Sequence, residues 1–450
     1  MTIYSKPWND GALKVSMNHK YLQNGEKPFF WLADTGWLLF HRFTREEVYA
    51  YLRNRKAKGF NVIQAMILHR MPQLNRYNRQ PFFGDDITKT DDTGEYSYWD
   101  NVDYAISLAE ELGLYIALVP AWGDILKNGY LNADTVEPYT RFIAGRYKGR
   151  PNIIWIVGGD LLGSLGFNVW DRMGEILREM CPDHLITFHP VTGTTSSLWF
   201  NEKSWLDFNM FQSGHSTYAQ VKNNNPEFIS DEQLPYAEDN WKYIFHDHGM
   251  KPLKPSIDGE PSYENIMKGL KNWGVSHWTA ADVRRYSYWS VFAGGFGITY
   301  GHNAVMQGYY DGAGPGSFGV MDYWYDAIHH EGSGQIAHLK ELVTSFPFTE
   351  GTPRQDCLAC DEGAQHQRIA VFGSKSFLLA YTCTGRDIAV KANSLDCEKL
   401  DAFWFNPVGG EASFIGSYHS GKELVFTPVE RKNGVNDWVL VLFDREKQYL

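Results

Sequence analysis

"FFWLAD" at residues 29–34, followed by "TREEVYAYLRNRKAKG" at residues 44–59, decides how the chain is read. The first stretch is apolar without polar alternation, as a strand covered on both faces must be. In the second, Thr44 and Glu47 have the spacing of a capping box, Val48, Tyr51 and Leu52 fall on one helical face, and Gly59 supplies the stop. Together they make one strand and one helix. The unit recurs as "NVIQAMIL" with "DNVDYAISLAEELG", "LYIALVP" with "DTVEPYTRFIAGRYKG", and "NIIWIVGGD" with "NVWDRMGEILREM". Four less regular units follow: "LITFHP" with a Trp-rich stretch, "DFNMFQSGH" with "ISDEQLPYAEDNWKYIFHDHG", "KPSIDGE" with "WTAADVRRYSYWSVFAG", and "GFGITYG" with "YWYDAIHHEGSGQIAHLKELV".

Eight strand–helix units predict an α/β chain with a parallel sheet closed as a (β/α)8 TIM barrel, for which about 250 residues plus insertions is typical. An open doubly wound sheet announces itself with a phosphate-binding glycine loop after its first strand, and "ADTGWLLF" has none. After Phe346 the pattern changes to short alternating runs such as "RIAVFG", "SFLLAYTC" and "DWVLVLF", with turn residues and no helical period between them. Those runs predict a small antiparallel β-sandwich. The expected division is a barrel over residues 1–348 and a sandwich over residues 349–450.

Composition narrows the function. The chain has 450 residues, 43% hydrophobic and 15% aromatic, enough for a large interior. Its net charge of -11 argues against nucleic acid and anionic membranes, both of which demand a basic face. No apolar run approaches the roughly 20 residues that span a bilayer. The start, "MTIYSKPWNDG", has no basic-then-apolar leader, so the expected compartment is the cytoplasm if the chain is complete, or an extracytoplasmic one if a signal peptide was removed. A carbohydrate suits the charge and the aromatic content, and nothing in the sequence assigns an oligomeric state. Only Cys357 and Cys360 stand in a CxxC, and without a second pair they read as ordinary thiols.

A barrel of this kind carries its chemistry at the C-terminal ends of its strands. Those ends offer Asp34, His69, Trp122, Asp124, Asp160, His189, Gln212, His215, Asp258, Glu260, Tyr300 and His302. Asp160 follows two glycines at the end of the fourth strand, and Glu260 follows Gly259 at the end of the seventh. Strands four and seven are three steps apart in an eight-membered ring, so acids at their ends are expected to face each other across its mouth. Two facing carboxylates are the minimum apparatus for glycoside hydrolysis. Asp258 shares an alternation face with Glu260 and reads as its deeper structural partner. Asp34, His69, Trp122, Asp124, His189, Gln212, His215, Tyr300 and His302 are read as substrate contacts, Trp122 as a flat face for a sugar ring. The glycine-rich "DGAGPGSFG" at residues 311–319 reads as a loop that closes over substrate or as a plain connector.

The competing chemistry is a metal-dependent barrel hydrolase, which gathers His and Asp at strand ends. Its usual H-x-H after the first strand is replaced here by "ADTGW", and "HHEG" at residues 329–332 lacks the H-E-x-x-H spacing. No metal and no cofactor are expected. A second alternative is a barrel that binds carbohydrate without cleaving it.

"KPFFWLADTGWLLFHRFTREEVYAYLRNRKAKGFNVIQ", "NIIWIVGGDL", "PSIDGEPSYE" and "AGGFGITYGHNAV" together resemble the apiosidase-like glycoside hydrolases, from about Leu13 to the C-terminus. The resemblance implies a (β/α)8 barrel followed by a β domain that carries a collagen-binding label. It implies that Asp160 and Glu260 form the catalytic pair, with Asp160 as general acid/base and Glu260 as nucleophile. It also implies a plant-type glycan as substrate, with apiose-linked side chains of rhamnogalacturonan II as one known example. Family members are often exported, whereas this sequence shows no leader. Nothing in "DAFWFNPVGGE" points to triple-helix recognition, and packing against the barrel is what we expect of the second domain.

Overall fold

The computed structural model describes residues 4–222, 230–270, 276–421, 423–429, 436–447 and 449. Eight parallel strands form its centre: β1 (Trp31–Thr35), β2 (Val62–Leu68), β3 (Tyr115–Ala121), β4 (Ile153–Leu161), β5 (Ile186–Pro190), β6 (Asn209–Gln212), β7 (Ser256–Asp258) and β8 (Gly297–Tyr300). Six of them make a continuous sheet in the order β8-β1-β2-β3-β4-β5, and β6 pairs in parallel with β7. The ring closes through backbone bonds on both sides of that pair. Asp207 N donates to Ile186 O at 2.9 Å, and Phe296 N donates to Ser256 O at 3.3 Å.

Helices α1 (Arg45–Ala57), α2 (Tyr98–Glu111), α3 (Val136–Tyr147), α4 (Phe167–Met180), α5 (Ser197–Phe200), α6 (Trp241–Gly249), α7 (Ala280–Phe292) and α8 (Glu331–Thr344) alternate with the strands. Local sequence sets where three of them begin. Thr44 and Glu47 form the expected capping box on α1, and Ser97 with Asp100 and Thr279 with Asp282 repeat it on α2 and α7. Each box satisfies backbone donors that would otherwise have no partner, a contribution of about 1 kcal/mol. Gly59, at φ +83°, ends the first unit as predicted. Inward residues such as Val62, Met66, Val119, Ile156 and Ile257 fill the barrel, while Ile63, Leu118 and Trp155 on the other face pack against the helices.

Three expectations shift. The helix predicted across residues 229–249 begins only at Trp241, with residues 230–240 in turns and bends and residues 223–229 outside the described residues. Pro235 has no N–H to give to a helix interior, and the residues after it serve tertiary partners: Asn240 donates to Asp258 at 3.3 Å and to Tyr286 O at 3.0 Å. The Trp-rich stretch after β5 holds a two-residue strand, Thr194–Thr195, and the single turn α5. Before α8, the chain makes a separate turn of helix at Trp324–Ala327.

Beyond Phe348–Glu350 the chain becomes antiparallel. Strands β9 (Thr352–Pro353), β10 (Ile369–Gly373), β11 (Phe377–Thr382), β12 (Ile388–Lys391), β13 (Lys399–Phe405), β14 (Ala412–His419), β15 (Glu423–Phe426) and β16 (Trp438–Asp444) form a six-stranded sheet, β9-β10-β11-β16-β13-β14, faced by the pair β12-β15. One face of the larger sheet packs on the barrel. Tyr381 stacks on Tyr288 of α7 at 4.4 Å, Phe377 lies 4.9 Å from Phe346, and Arg284 of α7 grips Asp437 with bonds of 2.7 and 3.0 Å.

Candidate active site

Glu260 stands just past β7, nine-tenths buried. Gly259 before it packs so closely that a Cβ would lie 2.4 Å from Met210 Sδ, and its carbonyl accepts a bond from Gln64 Nε2 at 3.0 Å. The backbone is thereby anchored from both β6 and β2. Two imidazoles meet the carboxylate. His215, just after β6, brings Nε2 to 3.1 Å from Oε1, and His189, in β5, brings Nε2 to 3.3 Å from Oε2 at an oblique angle. Burial alone would raise the Glu260 pKa, but the contacts to His189 and His215 outweigh it and hold the group at about 2. The carboxylate is therefore ionised throughout the ordinary pH range.

Aromatic rings enclose it. Trp37 donates its indole N–H to the Tyr263 hydroxyl at 2.9 Å, and Tyr263 lies 4.9 Å from the His215 ring. Trp122 lies 5.4 Å from Trp37 and 5.2 Å from His189.

Asp160 sits on the rim, exposed, at φ +52° where β4 bulges between Gly158 and Leu161. The two glycines before it are at φ +81° and +143°, and a Cβ on Gly159 would lie 2.3 Å from the Trp122 ring. Only glycine lets the backbone rest there. Asp160 thus follows directly on the residue that covers Trp122, the same ring that flanks His189. At the bulge this residue is turned outward to solvent.

The structure brings Glu260, His189, His215 and Trp122 together. Gln212 is also buried beside this group, at the end of β6, with its Oε1 unbonded among the described residues. His69 and Asp124 lie further out on the rim. His69 lines a cavity of about 620 Å³ between the segments that follow β1, β2 and β8, and Asp124 is exposed 3.8 Å from Lys127.

Three predicted contacts are corrected. Asp34 is fully buried and faces α1, where it accepts bonds from Tyr51 Oη and Arg55 Nε, both at 2.6 Å. Tyr300 is equally buried, and its hydroxyl donates to Glu264 at 2.5 Å. His302 caps a helical turn by accepting from Ala304 N at its Nδ1, which leaves Nε2 to donate to His330 Nδ1 at 3.0 Å. His302, Asp322 and His330 gather closely enough to suggest a metal, but that pattern commits the ring nitrogens of His302 to the cap and to His330. Asp258 also departs from its predicted side: it bonds Ser213 Oγ at 2.6 Å and Asn240 behind the sheet, while Glu260 faces the mouth. Strand position was legible in each case; which side of the strand faced the mouth was not. Trp37 and Tyr263 were missed, since nothing in a one-dimensional pattern ties them to Glu260.

Residues 16–350 match the family model described as "Apiosidase-like, catalytic domain", and residues 352–443 match one described as "Putative collagen-binding domain of a collagenase". Among solved structures, a protein described as a glycoside hydrolase is 40% identical over 99% of this chain and all of its own, with a TM-score of 0.93. A glycoside hydrolase family 5 protein from Bacteroides vulgatus is 38% identical over the whole of this chain and 96% of its own, again with a TM-score of 0.93. An endo-1,4-beta-D-mannanase from Thermotoga petrophila shares the barrel at 14% identity, a TM-score of 0.51, and 69% of this chain against all of its own. A search of the curated proteins finds no match. A closed barrel matched by the apiosidase-like catalytic model over residues 16–350, and by glycoside hydrolase structures over its whole length, makes the chain a glycosidase of the apiosidase-like glycoside hydrolase family.

Proposed function

We propose that the protein is a retaining glycosidase with Glu260 as nucleophile and Asp160 as general acid/base. The observation that carries this is the state of Glu260, which is buried, oriented by His189 and His215, and held ionised at about 2. A nucleophile must be unprotonated and aimed before the substrate arrives. Glu260 attacks the anomeric carbon while Asp160 gives its proton to the departing glycosidic oxygen. Asp160 then takes a proton from water as that water opens the glycosyl ester and frees Glu260. A sugar seated on Trp122 would cover Asp160 and supply the desolvation that raises the pKa of an acid catalyst.

The substrate is a plant-type glycan, and the family name supports an apiose-linked side chain of the pectic polysaccharide rhamnogalacturonan II. Treating pectic oligosaccharides with the enzyme should release apiose, measured by chromatography of the monosaccharides. Mass spectrometry after inactivation with a 2-deoxy-2-fluoro glycoside of the released sugar should find the label on Glu260. A label elsewhere, or product of inverted configuration by proton NMR, would reject the assignment.

A further inference from the structure

The chain leaves β6 through His215 and Tyr218, and the stretch that leads into α6 returns to meet it at Glu238. Buried Glu238 accepts from Tyr218 N at 3.1 Å through Oε1, and Asp239 beside it accepts from the Tyr218 hydroxyl at 2.5 Å. Asn240, next along, donates to Asp258, two positions before Glu260. Residues 238–240 therefore brace both approaches to Glu260, the His215 segment and the end of β7. The other oxygen of Glu238 is held from outside the mouth. Oε2 accepts from Arg285 Nη2 of α7 at 2.8 Å and from His366 Nε2 at 2.9 Å.

His366 belongs to the sandwich, in the single turn Gln365–Gln367 that precedes β10. Its ring lies 5.6 Å from Tyr218, and Arg368 two positions on covers the Trp241 ring at the start of α6, 3.8 Å away. Burial would raise the Glu238 pKa, but His366, Arg285 and Tyr218 N outweigh it and hold the group below the usual carboxylate range. The carboxylate thus remains an acceptor for all three donors, and bonds to an ionised acceptor are the shorter and stronger kind. Arg285 divides its Nη2 between Glu238 and Asp282, the latter at 3.1 Å. The His215 carbonyl is pinned separately by Gly269 N at 2.8 Å and Trp278 Nε1 at 3.0 Å. What Tyr218 adds is the direction in which the chain leaves His215.

We infer that His366 is a positioning residue supplied to the active site by the C-terminal domain: it fixes Glu238, Glu238 fixes Tyr218, and Tyr218 sets the His215 imidazole against Glu260. The sandwich is then a working support of the site, because a reacting group holds its aim only when the residues behind it are themselves held. The effect on turnover rests on the proposed reading of Glu260 as nucleophile. The coupling of His366 to His215 does not.

The test compares His366→Ala, which removes the donor, with His366→Gln, whose amide Nε2 can replace it. In apiose release from pectic oligosaccharides by the full chain, His366→Ala should lower kcat about tenfold through loss of aim. KM should stay within about twofold of the parent value, since ground-state binding is untouched, and His366→Gln should restore most of the rate. The His366 side chain is half exposed, so the melting temperature should move by less than about 3 °C. In parallel, the ring signal of His215 in ¹³C-histidine NMR, assigned by its loss in His215→Phe, should shift or broaden in His366→Ala and return in His366→Gln. The signal of His184, which accepts from Trp155 Nε1 at the opposite end of the barrel, should stay in place in both. An unmoved His215 signal, an unchanged kcat, a loss that His366→Gln fails to restore, or one accounted for by unfolding would overturn the inference. Turnover that survives E260Q, or its absence in the parent enzyme, would instead sink the catalytic reading, and the His215 signal would still decide the coupling.

Discussion

Two carboxylates only two positions apart, Asp258 and Glu260, are driven in opposite directions by their surroundings. Glu260 is pulled down to about 2, whereas burial lifts Asp258 to about 6 despite bonds from Ser213 and Asn240. Each shift has a measurable consequence. His189 and His215 favour the charged form of Glu260, so His215→Phe should move the acid limb of kcat/KM upward from about 2 toward 4.5. Activity would then be lost at a higher pH, which a profile between about pH 3 and pH 6 would reveal. Glu260→Gln should lower kcat by at least about 10⁴-fold with the fold intact. Asp160→Asn should lower kcat most for substrates with poor leaving groups, and a uniform loss for all leaving groups would argue against its role as acid. For Asp258 the folded pKa lies above the unfolded 3.8, so the native state holds its proton more tightly and stability falls as pH rises from about 4 to about 6. Asp258→Asn should remove that slope, worth roughly 3 kcal/mol across the window. Denaturant titrations of both proteins at each end of the window would show it.

At the scale of elements, the decisive feature is the bulge that ends β4. Gly159 lets the strand lie on Trp122, and Gly123 meets the same stretch, where a Cβ would stand 2.3 Å from Gly159 O. Gly159→Ala would put a methyl group into the indole at a φ of +143°. The expected result is a loss of about 2 to 4 kcal/mol from strain and overpacking, with a fall in activity larger than the fall in stability explains. Thermal unfolding and kcat/KM measured on the same preparation would separate the two. The helices make a milder point. The capping box at α1 was placed from sequence because it depends on residues three apart, and the structure adds boxes of the same spacing at α2 and α7. The start of α6 could not be placed in that way, because it depends on Asn240 reaching Asp258 and the Tyr286 carbonyl across the fold.

Across the whole molecule, barrel and sandwich share one core. Tyr288, Phe292 and Phe346 pack with Phe372, Phe377, Tyr381 and Phe443 in a single apolar cluster, and the buried Arg284–Asp437 pair lies at the edge of it. Removing one partner leaves an uncompensated charge in that interior, so Asp437→Ala should destabilise the protein by about 3 to 5 kcal/mol. The melt should remain a single transition for both domains, and a separate early transition for the sandwich would show that the shared core does not couple them. Among the described residues no helix is long and apolar enough to cross a membrane.

What the sequence determined by itself was everything carried by short-range pattern. Apolar runs and helical spacing announced the eight-unit barrel, alternation announced the sandwich, and the glycine-flanked acids announced where on the strands to look. Strand β14, with its mostly exposed Ala412–His419, escaped because it lacks the alternation of its neighbours. Only the tertiary structure decided which strand-end residues share the mouth. A strand presents its residues alternately to two faces, and a bulge or a glycine reassigns them. Thus Asp34 faces Arg55 and Asp258 faces Asn240, while Glu260 meets His189 and His215. The rings of Trp37 and Tyr263 joined the site for the same reason: contact across a closed barrel depends on how the ring closes, which separation along the chain does not encode.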